Sequence, residues 1–310
     1  MQIHRDPQAF RTNNPVVTIG IFDGVHRGHD FILRSLCQAA LQRKGSSVLV
    51  TLWPHPREVL NNNGSPFRLL NTLEEKISLL GKYSIDHLVL LRFTSEFSRL
   101  SSEDFVKQVL VERIGISHLL VGYNHRFGKD REGNYNKLAA YADKYSFSIE
   151  KLPYLGDSSI KISSSGIRDL LMQGNIVQAN SLLGYRYFIT GKVTGGNKVG
   201  RMIGFPTANI KISDELKLIP SDGVYAVRVS WDNRNMQGMM NIGIKPTVND
   251  NPDKKTMEVN IFDFKDDIYD KTIRIEFAGR LRDEMKFENI GALEQQLRID
   301  RDHALKVLRE

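Results

Sequence analysis

The stretch VTIGIFDGVHRGH, residues 17–29, decides how the first half of this sequence folds. An apolar run leads into a glycine-rich turn, and the residues after the turn begin an amphipathic helix. The free backbone N–H groups at such a helix start attract phosphate, and the turn allows close approach through Gly20, Gly24 and Gly28. His26 and His29 project to one side and can donate to developing negative charge. We predict a phosphate-binding loop; the alternative is an ordinary turn with surface histidines.

Outward from this loop, residues 1–155 alternate short apolar runs with amphipathic helical patterns. The apolar runs are VVTIGIF, SVLVTLW, HLVLLRF and HLLVGY, and the helical patterns cover residues 27–43, 72–83, 102–113 and 134–146. Strands that are apolar on both faces and separated by helices are typical of a parallel sheet. We predict a Rossmann-like α/β domain with helices on both faces of its sheet.

The second half of the chain has a different periodicity. After a helical stretch at residues 165–184, the strand patterns are YRYFITGKV, GVYAVRVSW, MQGMMNIG, TMEVNIFDF and TIRIEFAGRLR, and WDNRNM is a hairpin turn signal. These patterns predict a β-barrel or sandwich. A last helix is expected to cover an open end of the barrel with Ile290, Leu293, Leu297, Ala304 and Leu308. We place the domains at residues 1–184 and 185–310.

Composition and charge limit the class of protein. With 41% hydrophobic and 25% charged residues the chain matches folded proteins, and no stretch approaches the length of a membrane span. Of the net charge of +7, most lies in residues 1–186, where 23 Lys and Arg oppose 17 Asp and Glu. These charges form no dense run, so we favour a phosphorylated small molecule over nucleic acid as the partner. Lysines that only keep the surface soluble explain the surplus equally well.

Cysteine use and the N-terminal segment bear on the compartment. Cys37 is the single cysteine and lies on the apolar side of a predicted helix, which favours a packing role over a nucleophile. The segment MQIHRDPQAFRTNNP lacks the apolar core of a secretory signal. We expect a cytoplasmic protein with no membrane partner.

Four segments of the first half carry a family resemblance. GxFDGxHxGH, within residues 20–29, resembles the signature of the nucleotidyltransferase superfamily, and its FDG portion is similar to the prokaryotic bifunctional riboflavin kinase and FMN adenylyltransferase family. The other segments that resemble motifs of this family are TLWPHPREVL at 51–60, VGYNHRFG at 121–128 and ISSSGIR at 162–168.

The resemblance implies a role for each matched position. The FMN phosphate would attack the α-phosphate of ATP directly, so catalysis needs positioning and charge stabilisation but no protein nucleophile. The implied catalytic residues of this domain are His26, His29 and Arg168. Implied nucleotide and phosphate contacts are Gly20, Phe22, Asp23, Gly24, Gly28, Ser164 and Ser165. A loop for flavin or nucleotide would comprise Pro54, His55, Pro56 and Asn124.

The segment ISSSGIR also has a direct interpretation. Its hydroxyls precede apolar residues at helical spacing, which predicts a helix start at Ser163 to Ser165 with Arg168 in the first turn. Arg168 could then clamp the β and γ phosphates of ATP. Alternatively, the serines only cap the helix and Arg168 is a solvent-facing charge.

The stretch GKVTGGNKVGRMIGFPTANI, residues 191–210, carries the second resemblance. Its glycines can surround phosphates, while Thr207 and Asn209 offer oxygens to Mg²⁺; a mobile hairpin loop is the alternative. The stretch resembles the riboflavin kinase signature, and SDGVYAV, NIGIKPTV, MEVNIFDF and LRDEMKF follow in the family's order. The resemblance implies a riboflavin-kinase-type antiparallel β-barrel with a C-terminal helix. It also implies phosphate contacts at Gly200 and Gly204, Mg²⁺ ligands at Thr207 and Asn209, and Glu258 as the general base.

Together the resemblances span residues 16–308 and imply an enzyme that uses riboflavin, FMN and ATP. It would phosphorylate riboflavin to FMN and then transfer AMP to FMN, giving FAD. Nucleotidyl transfer to another phosphate or phosphonate and a non-enzymatic flavin-binding role are the competing functions. Positions that depart from frequent family residues, with consequences for local ligand contacts, are His125, Gly195, Val248 and Asn260, whereas Ser165 keeps the hydroxyl of the usual Thr.

Overall fold

The computed structural model describes residues 1–60, 67–123, 126–153, 162–195, 200, 203–244 and 255–309. By its contacts the chain divides into two compact units. The first unit comprises residues 1–67 and 73–162, and the second comprises residues 68–72 and 163–310. Residues 163–184 therefore group with the second unit, and the domain boundary at residue 184 stays a prediction.

The first unit is built on a six-stranded sheet in which every neighbouring pair of strands is parallel. Its strands are β1 (Gln2–Arg5), β2 (Val16–Ile19), β3 (Ser47–Trp53), β4 (His87–Arg92), β5 (His118–Val121) and β6 (Ser148–Lys151). They lie in the order β1-β4-β3-β2-β5-β6. The predicted parallel α/β fold is confirmed, and β2 lies at its centre with all four residues buried.

The two edge strands of this sheet, β1 and β6, escaped the sequence analysis. Their sequences, QIHR and SIEK, are polar, and their residues are mostly exposed. An edge strand is covered less than a central one, so it needs no apolar run and leaves no clear period in the sequence.

Helices connect the strands of the first unit, as the alternating pattern predicts. The helix that follows β2 is α1 (Arg27–Gln42), whose apolar residues Leu33, Leu36, Ala39 and Ala40 are buried. The remaining helical segments are Pro56–Leu60, Leu73–Leu80, Phe97–Arg99, Ser102–Asp104, Lys129–Arg131 and Tyr135–Tyr145. The segment Ser102–Asp104 continues directly as a π-helix over Phe105–Ile114.

The second unit contains a closed antiparallel barrel of six strands. They are β7 (Phe188–Thr194), β8 (Ala208–Lys211), β9 (Gly223–Trp231), β10 (Arg234–Ile244), β11 (Lys255–Ile261) and β12 (Thr272–Arg282), in the order β10-β11-β8-β7-β12-β9. The helices Ser164–Met172 and Ile176–Leu183 precede the barrel, and Ile290–Arg309 follows it. The predicted hairpin at WDNRNM is confirmed: β9 and β10 are joined by Asp232 and Asn233, both with positive φ.

The C-terminal helix Ile290–Arg309 packs on the outer face of the barrel, so the expectation that it covers an open end is wrong. Ala304 and Leu308 are buried against Ala226 and Met239. Neighbours of Ala226 along β9 point into the barrel core, which places Ala226 outside. An apolar outer surface on β9 and β10 therefore gives the helix its partner. Within the described part of the chain, no helix has both the length and the apolar character needed to cross a membrane.

Candidate active sites

The loop between β2 and α1 has an unusual backbone conformation. Phe22, Gly24 and Val25 have φ values of 51°, 86° and 36°. For Phe and the β-branched Val this region is disfavoured, at a cost of about 1–3 kcal/mol each. Such a loop persists only where its surroundings hold it, so the contacts around it matter for the site it forms.

The two histidines predicted for this loop lie against each other. His26 is the N-cap of α1, and its Nδ1 accepts a hydrogen bond from the backbone N–H of His29 at 3.3 Å. The imidazole rings are stacked with centroids 3.7 Å apart, and the ring of Phe22 lies 4.9 Å from that of His29. A Cβ atom on Gly28 would lie 3.2 Å from the His26 ring. Gly28 thus makes room for an imidazole.

Burial controls the charge of this pair. It lowers the pKa of His26 to about 4. The pKa of His29 is held well below its ordinary value, first by burial of the ring and then by repulsion from His26 and Lys76. Both rings are therefore uncharged at neutral pH. The Nδ1 atom of His29 is buried and has no hydrogen-bond partner among the described residues.

A cavity of about 280 Å³ opens at the carboxyl end of β2. Its position is a switch point of the sheet, because the chain continues from β2 to β3 on one side and β5 lies on the other. Five of the predicted site residues line this cavity: Gly20, Phe22, His26, Gly28 and His29. The lining also includes Gly122, Tyr123, Leu152 and Pro153, which lie further along the chain. Asp23 and Gly24 are buried within the loop and do not line the cavity.

The Pro54 to Pro56 segment follows β3 directly. His55 is buried, its ring lies 4.4 Å from that of Phe67, and its Nδ1 accepts a hydrogen bond from the N–H of Arg57 at 3.0 Å. His55 thus supports the start of the helix Pro56–Leu60. Contact of this segment with flavin or nucleotide stays a prediction, and Asn124 and His125 lie outside the described residues.

The serine segment begins a helix, as predicted. Ser163 Oγ accepts a hydrogen bond from Gly166 N–H at 3.2 Å, and the helix starts at Ser164. Arg168 lies in its second turn, one turn later than expected. It is buried, and its Nε donates to the carbonyl of Arg68 at 2.7 Å, so the solvent-facing alternative is wrong. A role for Arg168, Ser164 and Ser165 at ATP phosphates stays a prediction.

In the second unit, strand register brings three predicted residues together. Glu258 on β11 pairs directly with Asn209 on β8, which places the two side chains on the same face. The hydroxyl of Thr207 donates to Glu258 Oε2 at 3.2 Å. Thr207 and Glu258 line a cavity of about 310 Å³ together with Phe205, Asn241, Phe287, Leu293 and Leu297.

Backbone geometry explains two further positions near this cavity. A Cβ atom on Gly200 would lie 2.3 Å from the Phe205 carbonyl oxygen, so only glycine fits there. Gly204 is exposed in the turn before Phe205. Asn260, a departure from the family pattern, is buried and donates to the carbonyl of Pro206 at 2.7 Å. It supports the turn that presents Thr207. Gly195 lies just beyond β7 with nothing within 4 Å of its Cβ position, and Val248 lies outside the described residues.

One buried charge beside the first site was missed from the sequence. Lys76, on the helix Leu73–Leu80, is only 1% exposed. Its spacing from Leu73 and Leu80 places it on the apolar face of that helix, and this helical spacing could have predicted from the sequence that Lys76 is buried.

One cavity on a parallel sheet and one on a barrel, each lined by motif residues, are what a transferase with two sites for phosphorus chemistry requires. Two family models match the chain, FAD synthetase over residues 9–166 and riboflavin kinase over residues 183–308. The chain belongs to the family of bifunctional riboflavin kinase/FMN adenylyltransferases.

Relatives with that name cover most of the chain. The protein of Buchnera aphidicola subsp. Acyrthosiphon pisum is 38% identical, and the match covers 93% of this chain and 91% of the relative. That of Escherichia coli K12 is 34% identical, with 92% and 90% covered. A crystal structure from Streptococcus pneumoniae, named a macrolide-efflux protein, has a TM-score of 0.89 and 30% identity, with 97% of this chain and 98% of that one covered.

The lowered pKa of His26 predicts acid sensitivity of the first unit. The folded state binds this proton only near pH 4, whereas an unfolded chain binds it near pH 6.5, so stability falls as the pH drops between these values. His26→Asn keeps an N-cap acceptor but does not titrate. When the pH falls from 7.5 to 4.5, the unfolding free energy of both proteins should decrease. We expect the decrease to be roughly 2–3 kcal/mol smaller in the variant than in the parent.

The measurement is urea unfolding followed by Trp53 fluorescence in a Trp231→Phe background, since Trp53 lies in the first unit and Trp231 in the second. Equal losses of stability in parent and variant would show that His26 is not held uncharged by the fold.

Proposed function

We propose that the protein phosphorylates riboflavin with ATP, giving FMN and ADP, and then transfers AMP from a second ATP to FMN, giving FAD and pyrophosphate. The observation that carries this proposal is that one chain has two separate cavities, each lined by polar side chains of one of the two family motif sets. The names of the relatives give both activities.

In the adenylyl transfer, an FMN phosphate oxygen attacks the α-phosphorus of ATP, and the bond to the leaving pyrophosphate breaks. No proton has to be removed from a phosphate that is already ionised, so the loop acts by positioning and by donating hydrogen bonds. His26 Nδ1 accepts from the His29 N–H, which leaves the proton of the neutral ring on Nε2 as a donor. Backbone N–H groups at the start of α1 add further donors.

Neutral imidazoles suit this task before ATP arrives. A charged pair with ring centroids 3.7 Å apart would repel, whereas two neutral rings can stack. Negative charge that develops on the α-phosphate and on pyrophosphate raises the proton affinity of nearby imidazoles and strengthens their hydrogen bonds. The pair therefore responds to charge that grows during the reaction. We assign Arg168 to ATP phosphates on the family resemblance alone.

In the kinase reaction, Glu258 removes the proton of the riboflavin 5′-hydroxyl as that oxygen attacks the γ-phosphorus of ATP, and ADP leaves. The hydrogen bond from Thr207 orients the carboxylate. Thr207 borders two cavities: the 310 Å³ cavity has aromatic and leucine walls suited to a flavin ring, while one of about 410 Å³ includes Lys265 and Tyr269. We assign riboflavin to the first and ATP to the second, so that the hydroxyl and the γ-phosphate meet at Thr207 and Glu258.

The donor set beside Glu258 fits Mg²⁺. Thr207 and Asn209 supply uncharged oxygens beside the carboxylate of Glu258, and such oxygens are the hard ligands that Mg²⁺ prefers. In the part of the chain that the structure describes, no group of three or more His, Cys, Asp or Glu side chains forms a metal cage. Such a small protein ligand set is what Mg²⁺ uses when phosphates complete its coordination. When bound, the ion would neutralise charge on the transferring phosphates.

We place the reaction in the cytoplasm because the chain has a single cysteine. Efflux of macrolides, named for the S. pneumoniae protein, is not our proposal, since both motif-bearing cavities and the named relatives agree on flavin chemistry.

The test is incubation of the protein with riboflavin, ATP and Mg²⁺, followed by chromatographic separation of riboflavin, FMN and FAD. We expect FMN to form first and FAD to follow. Phosphorylation without FAD would favour a different acceptor at the first site, and no conversion of riboflavin or of added FMN would refute the proposal.

Removal of one imidazole tests the separation of the sites. His29→Ala removes a donor to the reacting phosphates, and we expect FAD formation from FMN to fall by about 100-fold or more. Riboflavin phosphorylation should continue at the parental rate. His303→Ala, which removes an exposed histidine of the C-terminal helix, is the matched control. Loss of both activities in folded His29→Ala protein would contradict two independent sites.

The mirror prediction concerns the proposed base. Glu258→Gln keeps the size of the side chain but cannot accept the 5′-hydroxyl proton, so we expect riboflavin phosphorylation to fall by about 100- to 10,000-fold. Added FMN should still become FAD. Glu215→Gln, at an exposed glutamate, serves as the control. A normal phosphorylation rate in Glu258→Gln would show that Glu258 is not the base.

A further inference from the structure

A buried ammonium group lies directly behind the phosphate-binding loop. Lys76 Nζ donates a hydrogen bond to the backbone carbonyl of Ile21 at 2.8 Å and lies 5.1 Å from the centroid of the Trp53 ring. With 1% of its surface exposed, Lys76 is not available to bind substrate from solvent. Its effect must therefore pass through the groups it contacts.

The carbonyl of Ile21 is held from two sides. Besides Lys76 on the helix Leu73–Leu80, the hydroxyl of Thr51 on β3 donates to the same oxygen at 3.1 Å. Ile21 immediately precedes Phe22, the first residue with a disfavoured positive φ in the loop. Because that strain favours relaxation to another backbone conformation, the two hydrogen bonds to Ile21 restrain the loop at its start.

Packing alone does not account for a lysine here. Burial of an ammonium group costs several kcal/mol, whereas methionine would fill a similar volume without that cost. Burial lowers the pKa of Lys76 to about 8, while nearby Asp23 acts in the opposite direction. The side chain is thus mostly charged at neutral pH, and its charge also repels a proton on His29.

We propose that Lys76 is a positioning residue for the adenylyl transfer: by holding the Ile21 carbonyl, it sets the backbone of the phosphate-binding loop and keeps His29 in register with the reacting phosphates. This inference rests on the proposed function of the first unit. Lys76 touches neither substrate, and it acts through Ile21 and His29.

The experiment compares Lys76→Met with the parent in both half-reactions. Displacement of a catalytic loop by about 1 Å can cost about 100-fold in rate, so we expect a fall of that order in kcat for FAD formation from FMN. The KM values for FMN and ATP should change far less, and riboflavin phosphorylation by the same chain should be unchanged. Lys76→Arg, which keeps a charged donor, should recover part of the loss. Lys82→Met, at an exposed lysine just after the same helix, is the matched control.

A second readout separates positioning from mere packing. In Lys76→Met the repulsion between the ammonium group and His29 is gone, so the His29 ring should begin to titrate at a higher pH than in the parent, followed by NMR of labelled histidine. Thr51→Val removes the other hydrogen bond to Ile21 while preserving side-chain shape. We expect it to lower kcat for FAD formation roughly five- to tenfold. It also provides a test should Lys76→Met fail to fold.

The outcomes are distinct. If the parent makes no FAD, the proposed function fails. If the parent makes FAD and folded Lys76→Met does so at the parental kcat with an unchanged His29 titration, the positioning role of Lys76 is overturned. Parental kcat in both Thr51→Val and Lys76→Arg would overturn it as well, because the two changes together alter both hydrogen bonds to the Ile21 carbonyl.

Discussion

The turn from β2 into α1 must hold a backbone conformation that its own residues disfavour. Phe22 and Val25 adopt positive φ where the chain reverses from a central strand into a helix whose first residues, Gly28 and His29 among them, line the cavity. Parallel strands on both sides, the hydrogen bonds to the Ile21 carbonyl and the cap at His26 supply the restraint. The cavity therefore depends on contacts from several elements that are remote in sequence.

Desolvation is the second constraint on this site. A helix start favours negative charge, yet the side chains placed there are uncharged imidazoles, because burial disfavours their protonated forms. Lys76, a buried cation beside them, contacts the loop from behind and does not line the cavity. Positive potential thus reaches the site through backbone dipoles and hydrogen-bond donors, which need little reorganisation when phosphate charge moves.

In the barrel, the register of the strands positions the residues of the second site. Glu258, Asn209 and Asn241 lie on three adjacent strands at directly paired positions, so a carboxylate is flanked by two amides on the same face. The hydroxyl of Thr207 reaches the carboxylate because a turn braced by Asn260 precedes β8. A shift of one residue along β11 would move Glu258 to the barrel interior and Val259 to the face that lines the 310 Å³ cavity.

Several features followed from the sequence by itself. Apolar runs in a regular alternation with helical patterns determined the parallel sheet, and the change of period after residue 184 determined a β-rich second half, because both patterns reflect local geometry. The loop that carries His26, Gly28 and His29 was visible for the same reason, since these residues lie within one segment, whereas the roles of Thr207 and Glu258 were implied only by the family resemblance.

Only the tertiary structure decided the rest. It placed Lys76 behind the loop, buried Arg168 against the Arg68 carbonyl, made Asn260 a brace for the Pro206 turn, and laid the C-terminal helix on the outside of the barrel. Each of these depends on partners far away in the chain. Whether a charged side chain is solvated or buried, and what it then contacts, is set by the packing of those distant elements, which local periodicity does not encode.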